Sequence, residues 1–142
     1  MNKILVATDG SKNAKKALKK ARAIAEKMDA EVEIVSVAKD VITNPYLTIE
    51  YSVVKSNQED FVGLAEEILA ESLKEFDGFE GEVKTKLLRG DPADSIVEES
   101  KSDNFDLIIM GSRGLGTFSR TILGSVSHKV LNHSNIDVLI VK

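Results

Sequence analysis

The chain opens on Ile4-Leu5-Val6-Ala7, a short uninterrupted apolar run that ends in Thr8-Asp9-Gly10-Ser11. A run of this kind, apolar at every position and closed by turn residues, belongs to a strand covered on both faces, as in a parallel sheet. Further strands are expected at Val32 to Val37, Val83 to Leu88, Leu107 to Met110 and Val138 to Val141, the last two again apolar throughout. Helical patterns separate them. The first places Ala14, Ala17, Leu18, Ala21, Ile24, Ala25 and Met28 at helical spacing, and a second, from about Glu59 to Phe76, carries Phe61, Leu64, Ala65, Ile68, Leu69 and Leu73 on one face. A third follows the turn Gly90-Asp91-Pro92, where Asp91 can cap and Pro92 takes the first helical position. A fourth covers about Val126 to Asn132. Such alternation predicts right-handed crossovers and a mostly parallel sheet with helices on both faces, a doubly wound α/β fold. Without internal repeat, low-complexity tract or dividing linker, residues 1–142 are expected to form a single domain. The stretch 38–57, with Pro45 and little periodicity, is expected to be a long loop and a candidate surface for a partner.

Composition removes several function classes. The 142 residues are 42% hydrophobic and 30% charged, ordinary for a folded domain, and the net charge of −4 does not point to nucleic acid. Lys12, Lys15, Lys16, Lys19, Lys20 and Arg22 are the one basic cluster that stands out, and their spacing fits the solvated face of the first helix. With no cysteine, disulfides and thiolate chemistry are excluded. The apolar run before Asp9 is too short for a signal peptide and no later stretch is long enough to span a bilayer, so no membrane association and a cytoplasmic location are expected.

The segment richest in chemistry is Gly111 to Ser125, which leaves the carboxyl end of the fourth strand, where open α/β sheets bind ligands. Gly111 and Gly114 are expected to adopt backbone angles closed to other residues and to let a ligand reach the main chain. Gly124-Ser125-Val126-Ser127 opens a helix whose first amides have no partner within it, an anion site to which the hydroxyls of Ser125 and Ser127 could add hydrogen bonds. Arg113 and Arg120 supply positive charge. Neither the P-loop nor the G-x-G-x-x-G fingerprint is present. On the residues alone, phosphate binding and a purely structural turn both stand. No catalytic constellation is visible, His128 and His133 read as solvent-facing, and no protein metal site can be assembled.

The spacing Gly111-x2-Gly114-x9-Gly124-Ser125 resembles the nucleotide-binding motif of ATP-binding universal stress proteins, and the resemblance extends over nearly the whole chain. It implies strand order 3-2-1-4-5. It also implies ATP as ligand, with Mg accompanying the phosphates. Thr8 and Asp9 would lie beside the adenosine, the backbone around Val37 on adenine, and Met110 and Gly111 at the nucleoside end. Gly114, Gly124, Ser125, Val126 and Ser127 would hold the phosphates. A homodimer through Val138 to Val141 is implied as well, although Asp137 stands where many relatives have proline. Asp9 retains the alternative of a simple helix cap. Three functions follow from this reading: an ATP-binding module signalling stress to an unidentified protein partner, a slow ATPase or autophosphorylating enzyme, and a nucleotide-independent dimeric interaction protein.

Overall fold

The computed structural model describes the backbone of residues 1–40, 51–114 and 123–142, and the side chains of all of these except 51–57. Five parallel strands, β1 (Lys3–Ala7), β2 (Glu31–Ala38), β3 (Val83–Arg89), β4 (Leu107–Gly111) and β5 (Asp137–Val141), form one sheet in the order β3-β2-β1-β4-β5. Four helices connect them: α1 (Lys12–Met28), α2 (Tyr51–Leu73), α3 (Pro92–Ser100) and α4 (Ser125–His133). The single doubly wound α/β domain expected from the sequence, with that strand order, is therefore what forms.

Alternation along the strands divides the core in two. Ile4, Val6, Val32, Ile34, Leu107 and Ile109 face α1 and α2, meeting Ala17, Leu18, Ala21 and Ala25 of α1 and Leu69 of α2. Leu5, Ala7, Val35, Ile108 and Met110 face the other way, onto Ala93, Ile96 and Val97 of α3 and Val130 of α4. The central strand β1 is fully enclosed at Ile4, Leu5 and Val6, which is why no polar residue interrupts it. Each such side chain contributes about 1.5–3 kcal/mol of burial. Alanines on the inner stripe of α1 allow that helix to lie close to the sheet.

The second helix departs from expectation. It begins at Tyr51 rather than near Glu59, and it ends at Leu73, with a 3-10 turn over Lys74–Phe76. The apolar stripe that marks this helix in the sequence starts only at Phe61. Once formed, a helix extends by one backbone hydrogen bond per residue, and its first turns carry no regular apolar stripe, so they are silent in a periodicity analysis. The expected 38–57 loop is shortened accordingly, and positions 41–50 lie outside the described residues. Among the described residues, no helix is long and apolar enough to cross a membrane.

Candidate functional site

The carboxyl ends of β1, β2 and β4 open into a cleft of about 520 Å³, within the range of small-molecule sites. It forms at the ends of the neighbouring strands β1 and β4, the point at which strand order reverses and the helices that follow them, α1 and α4, lie on opposite faces. Thr8, Asp9, Val37, Met110, Gly111, Arg113, Gly114, Gly124, Ser125, Val126 and Ser127 all line it. The structure thus gathers in one place all eleven residues singled out from the sequence. Arg120 lies outside the described residues.

The turn after β1 is tied down by its own side chains. The Ser11 amide donates to Asp9 Oδ1 at 2.9 Å, and the Ala14 amide donates to Ser11 Oγ at 3.2 Å, which makes Ser11 the cap of α1. The Gly10 amide donates to Thr8 Oγ1 at 3.3 Å, and Ser72 of α2 donates to the same oxygen at 3.4 Å. Gly10 itself has φ +81°, and a Cβ there would meet Ile68 Cγ1 at 3.2 Å. Asp9 therefore has a structural use through one oxygen, while its Oδ2 faces the main chain of Gly114 across the cleft.

The motif glycines are explained differently from the expectation. Positive φ is confined, among the described glycines, to Gly10, Gly78 and Gly90; Gly111 and Gly114 do not adopt it. What they provide is space. A Cβ on Gly111 would stand 2.9 Å from the backbone carbon of Asn13, where β4 passes under the start of α1. A Cβ on Gly114 would stand 2.5 Å from Asp9 Oδ2, and one on Gly124 3.1 Å from the Ser112 carbonyl oxygen. These contacts bring the loop, the Asp9 turn and the helix start within reach of one ligand.

At the far side, α4 starts against the cleft. Its cap position is Gly124, with no side chain to bond the first amides, so the backbone N–H groups of Ser125, Val126 and Ser127 are available to an anion. The Gly124 amide donates to Ser112 O at 2.7 Å and fixes the approach. Ser127 differs from expectation. Its hydroxyl is buried and lies 3.0 Å from both Ser112 O and Gly124 O, to which it donates. Ser127 therefore presents its amide rather than its hydroxyl, while Ser125 is exposed. Outside the cleft, Lys129 of α4 bridges Asp91 at 3.3 Å and Asp94 at 2.9 Å at the start of α3. The Asp94 backbone amide first, with Lys129 assisting, holds the Asp91 carboxyl below its usual range.

A wall that the sequence did not assign to the site comes from α2. Phe61, Leu64, Ala65 and Ile68 line the cleft, and Phe61 and Leu64 stay 39% and 50% exposed. Their helical spacing reads as core, and only the missing cover on two of them marks them as a binding wall. Lys39, Pro92 and Ile96 complete the rim. The arrangement offers an apolar slot beside a set of unpaired backbone amides. Among the described residues, no cluster of three or more His, Cys, Asp or Glu side chains could hold a metal ion.

Comparison with known proteins agrees with this geometry. A profile described as the universal stress protein family matches residues 1–142. The chain is 34% identical to universal stress protein YxiE of Bacillus subtilis over 149 residues, covering 99% of both. Among solved structures, universal stress protein UspA from Lactobacillus plantarum superposes with a TM-score of 0.86 at 24% identity, covering 99% of this chain and 97% of that one, a likeness of fold. A universal stress protein in complex with cAMP superposes with a TM-score of 0.73 at 28% identity, again covering 99% and 97%. The strand order, the cleft and the sequence agree: the chain belongs to the universal stress protein family.

Proposed function

We propose that this protein is an ATP-binding module of the stress response, whose nucleotide-bound state is read by a protein partner. The observation that carries the reading is the uncapped start of α4, which opens three backbone amides onto a cleft with an apolar α2 wall. Amides at a helix start favour phosphate oxygens by hydrogen bonding and by the helix dipole. The apolar side between Val37 and Phe61, Leu64 and Ile68 suits a purine. A solved family relative bound to cAMP carries the same two chemical parts, an adenine and a phosphate.

In this reading Ser125, Val126 and Ser127 hold phosphates through their amides, Arg113 adds charge, and Asp9 Oδ2 and Thr8 face the ribose. Mg accompanies ATP through its phosphate oxygens. A homodimer through β5 completes the proposal. The two sheet edges differ, since β3 carries the exposed Lys84 and Lys86 whereas Val138 to Val141 form a half-buried apolar edge. Charged edges discourage strand addition and apolar ones invite it. The location we assign is the cytoplasm.

Titration of Mg-ATP into nucleotide-stripped protein in a calorimeter tests the reading. Saturable heat near one ATP per chain is expected. A folded protein that gives no saturable heat with ATP overturns it and leaves the glycine loop as a structural crossing.

A further inference from the structure

At the amino end of the sheet, opposite the cleft, two carboxyl side chains are buried together. Glu33 sits in β2 on the same face as Val35, toward α3, and is 8% exposed. Its Oε1 is enclosed with no hydrogen-bond partner among the described residues. Glu99 of α3, 9% exposed, lies beside the Glu33 carboxyl on the same face of the sheet. Glu99 Oε1 accepts from Lys86 Nζ at 2.7 Å and from Ser102 Oγ at 3.0 Å.

The surrounding charges leave the pair short of cations. From β3, Lys86 serves Glu99, and Lys84, the register partner of Glu33, is paired with Glu82. From β1, Lys3 is paired with Asp103 after α3, and its ammonium lies 4.8 Å from the centre of the Phe105 ring. Among the described residues, two buried carboxyls therefore share one direct ammonium. A second buried negative charge without a partner is costly, and neutralising it with a proton is the cheaper state. A proton on Glu33 also gives its carboxyl a donor hydrogen, which Glu99 beside it can accept.

We propose that Glu33 and Glu99 form a proton-sharing carboxyl pair that latches α3 to β2 and loosens when the proton leaves. The step is a simple ionisation. The Glu33 O–H bond breaks, the proton passes to water, and two carboxylates are left facing each other. Burial first, and the charge of Glu99 second, raise the Glu33 carboxyl above its ordinary range, while Lys86 and Lys3 oppose the shift. A group raised in the folded state contributes stability that is full below its unfolded value and is lost as pH rises through the folded one. The latch joins two elements that reach the cleft, because β2 runs on to Val35 and Val37 and α3 carries Pro92 and Ile96.

Carbon-13 NMR of the side-chain carboxyls, with urea unfolding from pH 4 to 8, tests the pair in the full chain. Glu33 is expected to titrate above the ordinary glutamate value of about 4.3, and Glu99→Gln to move that midpoint down. The folding equilibrium constant of the wild type falls with pH in that window, by at most about tenfold per unit. Glu33→Gln, which keeps a donor toward Glu99 and cannot ionise, is expected to be flat there. A Glu33 midpoint at or below the ordinary value overturns the proposal, as do parallel stability curves for wild type and Glu33→Gln. Should Glu33→Gln not fold, the wild-type and Glu99→Gln titrations decide alone. None of these readouts involves nucleotide, so the result stands whether or not ATP binds.

Discussion

The same strands end in two kinds of surface. At their carboxyl ends the backbone is left open: amides at the start of α4 lack caps, and three glycines bring chain segments within contact of each other. At their amino ends the polar groups are occupied. The Asn2 and Lys3 amides donate to Asp106 at 2.7 and 3.0 Å, Lys3 pairs with Asp103, and Lys86 pairs with Glu99. Glu33 Oε1 is the one unsatisfied buried side-chain atom among the described residues, and it lies at this closed end. The contrast separates two uses of polarity. Unpaired main-chain donors in a cleft are available to a ligand, whereas charged side chains around a buried pair make stability depend on protons.

Substitutions can break this contrast in a graded way. Ile109→Ala removes a fully buried side chain from the frame shared by both ends. It is expected to cost about 2–5 kcal/mol in urea unfolding and to weaken both surfaces together. Gly111→Ala acts at the open end alone. Its methyl group would press on the Asn13 backbone, which cannot yield as a side-chain tip can, for a loss of about 1–3 kcal/mol. The amino-end titrations of that variant should match the wild type. Ser127→Ala is smaller still, about 1 kcal/mol from a lost buried hydrogen bond. It should reduce ATP affinity as well, because the hydroxyl fixes the helix start to the Ser112 carbonyl. At the closed end, the Asn2 and Lys3 amides hold the Asp106 carboxyl below its usual range. Its contribution is present above the ordinary aspartate value and is lost as pH falls through the folded one. Asp106→Asn should therefore flatten the acid limb of the stability curve, opposite in direction to Glu33→Gln, with no change in ATP titration.

The alternation of strands and helices and the glycine loop after β4 were legible because they rest on local pattern, whereas the strand order and contacts such as Val37 and Met110 came only through the resemblance to the universal stress protein family. What escaped was nonlocal. Phe61 and Leu64 have the spacing of core residues, and only tertiary placement leaves them half uncovered. Glu33 lies inside Val32-Glu33-Ile34, where the strand pattern conceals it, and its partner Glu99 is 66 positions away. Gly111 and Gly114 lack the positive φ that their place in a loop suggests, since close approach and positive φ leave the same letter in a sequence. The early start of α2 escaped because no regular apolar stripe marks its first turns in the sequence.

The chain crossings at Gly111 and Gly124 bear on how related genomes are read. A Cβ would overlap the Asn13 backbone at Gly111 and crowd the Ser112 carbonyl oxygen at Gly124, so self-packing favours both glycines whether or not a ligand binds. Substitution would accumulate instead at Phe61 and Leu64, which face the cleft without being buried in the core. Divergence at that α2 wall, more than retention of the glycines, would mark where a lineage changed its ligand.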